Sequence, residues 1–325
     1  MRGQGRLKTG PRRGSGSAVL RSRRAPTAWL LGALATFGLL VAPAVGQSIV
    51  ESGVVRYGLL LSTFTEVNPN DALAATETWS AAVGRATGAW KATEATLFPD
   101  AATMVKAVNA NRVDVIALTS AEYLAVESTV LADPFLVYEL YGQVEAEYVL
   151  LVRNNIRSIA ELRDGRLAIA KTSASREMAD TWLDVVLLEN GLPEKERAFS
   201  QVNVTKKRSQ AIVAVFFKQA DAAVVTRTAF QTAVELNPQL GREIKVLAQS
   251  PKLLTGLACI RRSIDMAARR RYVEQATKLH EQTGLRQTFL ILQVTRLVAW
   301  DPHFLDTARA LNARYDALRR KAGER

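Results

Sequence analysis

Between Val54 and Ala248 the chain alternates short apolar, β-rich runs with amphipathic helical stretches, and this alternation restricts the fold more than any other feature. The first run, Val54-Val55-Arg56-Tyr57-Gly58-Leu59-Leu60-Leu61, breaks into the polar loop Ser62-Thr63-Phe64-Thr65-Glu66. A helix is predicted over 71–87, with Trp79, Ala82 and Val83 on its apolar face and Gly88 as its stop. A second strand follows over 92–97. Asp100 then caps a helix that runs to Asn109, a third strand covers 113–118, and a helix covers 121–127. Near-continuous apolar runs suit parallel strands covered on both faces, and strand–helix alternation is the doubly wound pattern.

The same alternation resumes after residue 147. Strands are predicted over 148–153, 166–170, 201–204, 220–225 and 244–248. A capped turn at Ser158 to Leu162, a helix ending at Asn190 before Gly191 and Pro193, and helices over 209–217 and up to Leu236 separate them. Residues 264–281 and 301–321 read as helical, with Arg269-Arg270-Arg271 as a solvated face. No sequence repeat links the two units. At 325 residues the chain has room for two cores, and 48% hydrophobic with 23% charged residues excludes a disordered chain or a multi-span membrane protein.

The formal net charge of +12 is concentrated in the leader. Residues 1–46 hold eight of the 43 Lys and Arg and no Asp or Glu, leaving 35 basic against 31 acidic residues, or +4, on the rest. That near-balance argues against nucleic acid as a partner. The basic segment precedes an apolar run of about 14 residues, Ala28 to Val41, short of the roughly 20 a membrane span needs. Ala44 and Gly46 satisfy the small-residue rule for cleavage before Gln47, so residues 1–46 read as a cleaved secretory signal rather than a retained anchor. Arg23-Arg24 lacks the large apolar residue expected soon after a twin-arginine pair. The expected destination is the periplasm.

Catalytic signatures are missing from the sequence. His280 and His303 stand 23 positions apart without Cys or paired carboxylates nearby, which is no metal pattern. Neither a Gly-x-Ser-x-Gly elbow nor a phosphate-binding Gly-Lys-Ser/Thr loop occurs. Cys259, the single cysteine, lies in the apolar run Leu257-Ala258-Cys259-Ile260 and reads as a buried thiol. Glu145 and Glu147 read as a solvated connection between the units. No enzyme activity, cofactor or metal is expected.

What stands out is the chemistry of the loops at strand carboxyl ends: Thr63-Phe64-Thr65, Thr119-Ser120, Thr172-Ser173-Ala174-Ser175 and Thr205-Lys206-Lys207-Arg208. Hydroxyls and amides at helix starts suit an anionic or hydroxyl-bearing ligand in a cleft. The alternative is ordinary helix capping by Ser and Thr.

Taken in order, several stretches resemble the phosphate/phosphite/phosphonate type of periplasmic substrate-binding protein, the soluble receptor of an ABC importer. They are Arg56 to Leu60, Met104 to Val108 with Arg112 to Leu118, Tyr123, Leu151-Val152-Arg153 with Ile156 to Leu162, Ala211 to Val215 with Ala220 to Ala223, and Trp300-Asp301-Pro302. The resemblance covers about 54–312. It implies a type II periplasmic binding protein, α/β, with two doubly wound lobes joined by a two-segment hinge near 142–148 and 250–256. Residues 47–145 would begin lobe one, 146–250 form lobe two, and 251–325 return to lobe one with the C-terminal helices.

The resemblance also implies a site. Thr63, Thr65, Thr119, Ser120 and Tyr123 would serve from lobe one, and Thr172, Ser173, Ser175, Arg176, Arg208 and Thr226 from lobe two. The family often carries Ser-Thr-Ser-Gly where this chain has Ala174-Ser175-Arg176-Glu177. A family histidine aligns with Arg208, and an acidic position with Thr226, beside Arg227. An aminophosphonate is therefore not expected. Arg176, Arg208 and Arg227 either bind another oxyanion by bidentate contacts or are surface residues. The implied partners are a small anionic ligand and an ABC permease, with a membrane sensor kinase as the alternative partner, and the receptor would be a monomer.

Overall fold

A computed structural model describes residues 53–60, 68–88, 90–171 and 177–323. Two sheets organise them. The first contains β1 (Val54–Leu60), β2 (Ala92–Phe98), β3 (Val115–Thr119), β4 (Ala132–Leu140), β12 (Gly256–Arg261) and β13 (Val294–Ala299), in the order β13-β4-β12-β3-β1-β2. The second contains β6 (Tyr148–Arg153), β7 (Arg166–Ala170), β8 (Gln201–Thr205), β9 (Ala222–Thr226) and β10 (Ile244–Gln249), in the order β10-β6-β9-β7-β8. Between them β5 (Glu145–Ala146) pairs antiparallel with β11 (Leu253–Leu254), so the chain crosses twice at one place.

The two sheets repeat one topology. In each, three parallel strands lie in the order second-first-third: β2-β1-β3 and β8-β7-β9. The strand that enters from the crossover, β12 or β6, then pairs antiparallel with the third. In each lobe the first strand after the chain's passage from the other thus inserts antiparallel beside the third parallel strand.

A charged staple recurs at the matching position. In the first sheet the buried Asp114 accepts hydrogen bonds from the Arg56 amide (3.0 Å) and Nε (2.9 Å) and from Arg261 Nη2 (2.8 Å). In the second, Asp221 accepts from the Arg166 amide (2.9 Å) and Nε (3.2 Å) and from Arg153 Nη2 (3.2 Å). Each Asp immediately precedes the third strand of its sheet. Its two arginines come from the first strand and from the crossover strand, so one carboxylate fixes three backbones.

Local sequence sets the ends of the elements. Helix α1 (Pro69–Thr87) starts two residues earlier than expected, because Asn68 accepts from the Asn70 amide (2.9 Å) and Pro69 takes the first turn. It stops at Gly88, whose φ of 64° is left-handed. Asp100 caps α2 (Ala101–Asn109) through the Thr103 amide (2.7 Å) as expected, burying Met104, Val105, Ala107 and Val108. Helix α3 (Ser120–Val126) leaves the end of β3, and α4 (Met178–Glu189), α5 (Lys195–Ala198), α6 (Arg208–Phe216), α7 (Arg227–Leu236) and α8 (Pro238–Glu243) accompany the second sheet.

The C-terminal region is helical where expected, and the stretch between the two expected helices adds a further helix and a strand. Helices α9 (Met266–Ala276) and α10 (Arg286–Ile291) are followed by β13, an edge strand, before α11 (Asp306–Gly323). Arg269 is not solvated like its neighbours: it donates to Asp133 Oδ2 (2.9 Å) and to the carbonyls of Ile264 and Arg261 (3.0 Å each). Helix α11 touches both lobes. Arg309 forms a two-pronged pair with Glu127 (2.8 and 2.7 Å), while Arg314 pairs with Glu189 and Tyr315 with Glu194. Cys259 is fully buried in β12, and burial raises its thiol far above the ordinary range. No described helix is long and apolar enough to cross a membrane.

Candidate functional site

A cavity of about 240 Å³ opens where the two sheets and the crossover meet. From the first lobe it is lined by Tyr57 and Leu59 of β1, Thr76 and Trp79 of α1, Val115 to Thr119 of β3, and Tyr138 and Leu140 of β4. The second lobe supplies Tyr148, Glu177, Met178, Arg208 and Thr226, and the crossover supplies Ala146, Leu254, Thr255 and Gly256. Leu292, Gln293 and Val294 close one side.

Four of the residues expected at the site meet here: Thr119, Ser120, Arg208 and Thr226. Their chemistry is more engaged than expected. Thr119 caps α3, where its Oγ1 accepts from the Glu122 amide (3.2 Å) and donates to Glu122 Oε2 (2.9 Å). Ser120 is buried and donates to the Leu254 carbonyl (2.6 Å), tying the end of β3 to the crossover. Thr226 caps α7 through the Ala229 amide (3.3 Å). All three line the cavity while acting as helix caps or crossover ties, so the capping reading of the hydroxyl-bearing loops holds for residues that also face the cavity.

Tyr123 does not reach the cavity. It lies 8% exposed in the hydrophobic core beneath α3, where burial pushes its hydroxyl up to about 12. Thr63, Thr65, Thr172, Ser173, Ser175 and Arg176 lie outside the described residues. Arg227 is held by Glu147 (Nε to Oε2, 2.8 Å), with its amide on the Glu147 carbonyl (2.8 Å), so it braces the crossover rather than an anion. Glu147 also accepts from Gln249 (3.1 Å) and is a partner in this brace, not part of a merely solvated connection.

Arg208, at the first position of α6, is the one cation among the described residues lining the cavity. Its guanidinium carbon lies 5.6 Å from the centroid of the Tyr141 ring, so a side chain of the second lobe faces an aromatic ring of the first. Glu177 faces the same space from the start of α4, where it forms a reciprocal capping box with Asp180; its amide donates to Asp180 Oδ2 (2.8 Å). Two carboxylates therefore stand at a helix N-terminus whose positive end would otherwise attract an anion.

Aromatic side chains that the sequence did not single out as binding residues dominate the walls: Tyr57, Trp79, Tyr138 and Tyr148. Burial raises the hydroxyls of Tyr138 and Tyr148 well above the ordinary range. At Tyr148, Glu177 pushes the same way and Arg208 opposes it. The discernible signal was positional: Tyr57 and Leu59 alternate on one face of β1, and Tyr148 opens the strand that follows the crossover.

A ligand-sized cavity between two lobes of repeated topology, joined by a paired crossover, defines a two-lobed solute-binding protein. Over residues 62–303 the chain matches the family model described as ABC transporter, phosphonate, periplasmic substrate-binding protein. The chain belongs to that family, and it is a periplasmic solute receptor of an ABC importer. Solved structures share the fold. A Xanthomonas citri protein bound to ATP aligns with a TM-score of 0.63 and 18% identity, covering 82% of this chain and 98% of that one. A binding-protein component of an ABC phosphonate transporter from Pseudomonas aeruginosa gives 0.57 and 17%, covering 82% and 87%. A Prochlorococcus marinus protein in complex with methylphosphonate gives 0.55 and 12%, covering 81% and 98%. No curated protein sequence matches the chain.

Proposed function

We propose that the interlobe cavity is the solute site, that its solute is an organic oxyanion, and that Arg208 holds the charged head. The observation that carries this reading is the position of Arg208: the one cation among the described lining residues sits where the ends of β3 and β9 face each other. A guanidinium offers forked donors to an oxyanion and stays charged at any physiological pH. The phosphonate description of the family and the methylphosphonate held by the Prochlorococcus neighbour support the class of head group.

In this reading the chain works as a monomer, exported with residues 1–46 removed. The part formed by residues 47–145 and 251–325 closes on the part formed by 146–250 about the crossover, with α11, which also packs on the second part, carried along or sliding as it does so. Binding and release, without turnover, deliver the solute to the importer's permease. Calorimetric titration with phosphonates, sulfonates and carboxylates tests the assignment. Arg208→Gln is expected to weaken binding of the best oxyanion by tenfold or more, in line with a charge-assisted bond of about 1.5–3 kcal/mol. Unchanged affinity contradicts the assignment of the head group to Arg208.

A further inference from the structure

The cavity is not uniform along its length. Among the described residues, its two charged ones, Arg208 and Glu177, and the hydroxyl-bearing Thr119, Ser120, Thr226 and Thr255 lie at strand ends, helix starts and the crossover, while Gln293 accepts from the Tyr141 hydroxyl. Its other part runs back along β3 from Thr119 to Val115, which at about 3.3 Å per residue is a depth of roughly 13 Å. This recess lies between the first sheet and α1, with Tyr57, Val115, Ala117, Tyr138, Thr76 and Trp79 as its walls.

Those walls carry no charged group. The Thr76 hydroxyl donates to the Ala72 carbonyl of its own helix (2.8 Å), and the Tyr57 hydroxyl bonds that of Tyr272. None of the six residues is ionised at neutral pH. Tyr57 and Trp79 meet edge to face, with centroids 5.6 Å apart, which gives one side of the recess a rigid aromatic wall. The buried Trp79 Nε1 has no hydrogen-bond partner among the described residues and offers one neutral donor. A full charge placed there would exchange its hydration for little more than that donor, whereas a ring would gain contacts on several sides. Apolar cavities of about 150 Å³ take a benzene-sized guest. The 240 Å³ here holds such a ring together with a compact head group. At the polar end, Glu177 lines the same space as Arg208, and a carboxylate there favours one negative charge over two.

We propose that this recess is a subsite for a flat apolar substituent, and that the solute is an organic monoanion bearing an aryl-sized group rather than an inorganic oxyanion. The proposal rests on the oxyanion reading of the site and narrows it. Recognition is divided: Arg208 holds the head, and the Tyr57–Trp79 wall selects the substituent.

The test is calorimetry on the full chain, at one pH, with phenylphosphonate, methylphosphonate, inorganic phosphate and the neutral ring compound benzyl alcohol. Phenylphosphonate is expected to bind roughly tenfold to a hundredfold tighter than methylphosphonate, the range set by burying one aromatic ring. Ala117→Val, which adds two methyl groups to the wall, is expected to lower that ratio. Methylphosphonate or phosphate binding as tightly as phenylphosphonate overturns the subsite while leaving the oxyanion reading standing. Benzyl alcohol binding as tightly as phenylphosphonate overturns the oxyanion reading and keeps the recess. Failure of all four to bind overturns both. The ligand comparison on the unaltered chain decides the matter even if the variant does not fold.

Discussion

Thr119 shows how one residue carries two roles. Its hydroxyl completes a capping box with Glu122 while its side chain lines the cavity, so removing it disturbs a helix and a binding wall together. Glu177 is the more informative position, because its charge opposes the head group assigned to Arg208. Replacing Glu177 by Gln removes that charge with little change in shape, and oxyanion affinity is expected to rise about twofold to tenfold in a titration at low salt. A fall in affinity would mean that Glu177 serves the ligand directly. The cavity lining was legible in the sequence only where it carried loop chemistry: Thr119, Ser120, Arg208 and Thr226 were expected at a site and do line the cavity. Tyr57, Trp79, Tyr138 and Tyr148 were not expected there, because an aromatic side chain facing a cavity has the same sequence pattern as one facing a packed core. Arg227 looked available for an anion because its partner Glu147 lies 80 positions away across the crossover.

At the scale of elements, buried ionic clusters hold the strands and helices in place. Asp114→Asn leaves Arg56 and the buried Arg261 without their shared carboxylate, and a loss of about 3 kcal/mol is expected in urea unfolding. The corresponding Asp221→Asn, in a more exposed cluster, is expected to cost less. Asp180 is the pH-sensitive member of this set. Burial alone would raise its carboxyl, but the Glu177 amide, Lys171 (2.8 Å) and Lys195 (3.3 Å) outweigh that and hold it below the usual carboxylate range. Its stabilisation is therefore complete above the unfolded value near 3.9 and is lost as pH falls through the lower folded value. Lys195 has the opposite sign. Its pKa is raised by Glu196, Asp184 and Asp180 against the effect of burial, so its contribution holds below about 10.4 and fades as pH rises through the folded value. Unfolding midpoints measured across pH should thus fall at the acid end, and Asp180→Asn should flatten that acid limb.

The inner parallel strands β1, β3, β7 and β9 were legible because they are largely buried and their runs are mostly apolar, whereas β2 and β8 are edge strands of mixed polarity. β4, β12 and β13 were not recognised as strands. β4 carries Asp133, Pro134 and Glu139, whose charges are matched only in the fold by Arg262, Arg269 and Arg296. β12 drew attention only to its cysteine, and β13 exposes Thr295 and Arg296 on a sheet edge. The repeated staple also escaped the sequence, since its residues stand 58 and 147 positions apart in one lobe and 55 and 68 in the other.

For the whole molecule, the crossover pair β5–β11 and helix α11 tie the lobes together among the described residues, and Arg208 also faces the Tyr141 ring across the cleft. Residues Leu305, Ala308, Leu311 and Tyr315 share a buried cluster with Met178, Trp182 and Val185, so α11 is packed against the second lobe while Arg309 anchors it to the first. Lobe motion must carry this helix or slide it. Arg314→Ala loosens the tie to Glu189, an exposed pair worth up to about 1 kcal/mol. Amide hydrogen exchange within 306–323 is expected to speed up by as much as about fivefold, with exchange in β1 and β3 unchanged. Equal acceleration in both places would show that α11 is part of one undivided core rather than a tie between lobes.

The central claim is that the cleft holds a solute without transforming it. The most direct measurement is titration of the purified chain with phenylphosphonate, followed by phosphorus NMR of the recovered ligand. One molecule bound per chain and a ligand recovered unchanged are the results the fold and site predict. Conversion to a new phosphorus species, or saturation at a stoichiometry other than one, would contradict them.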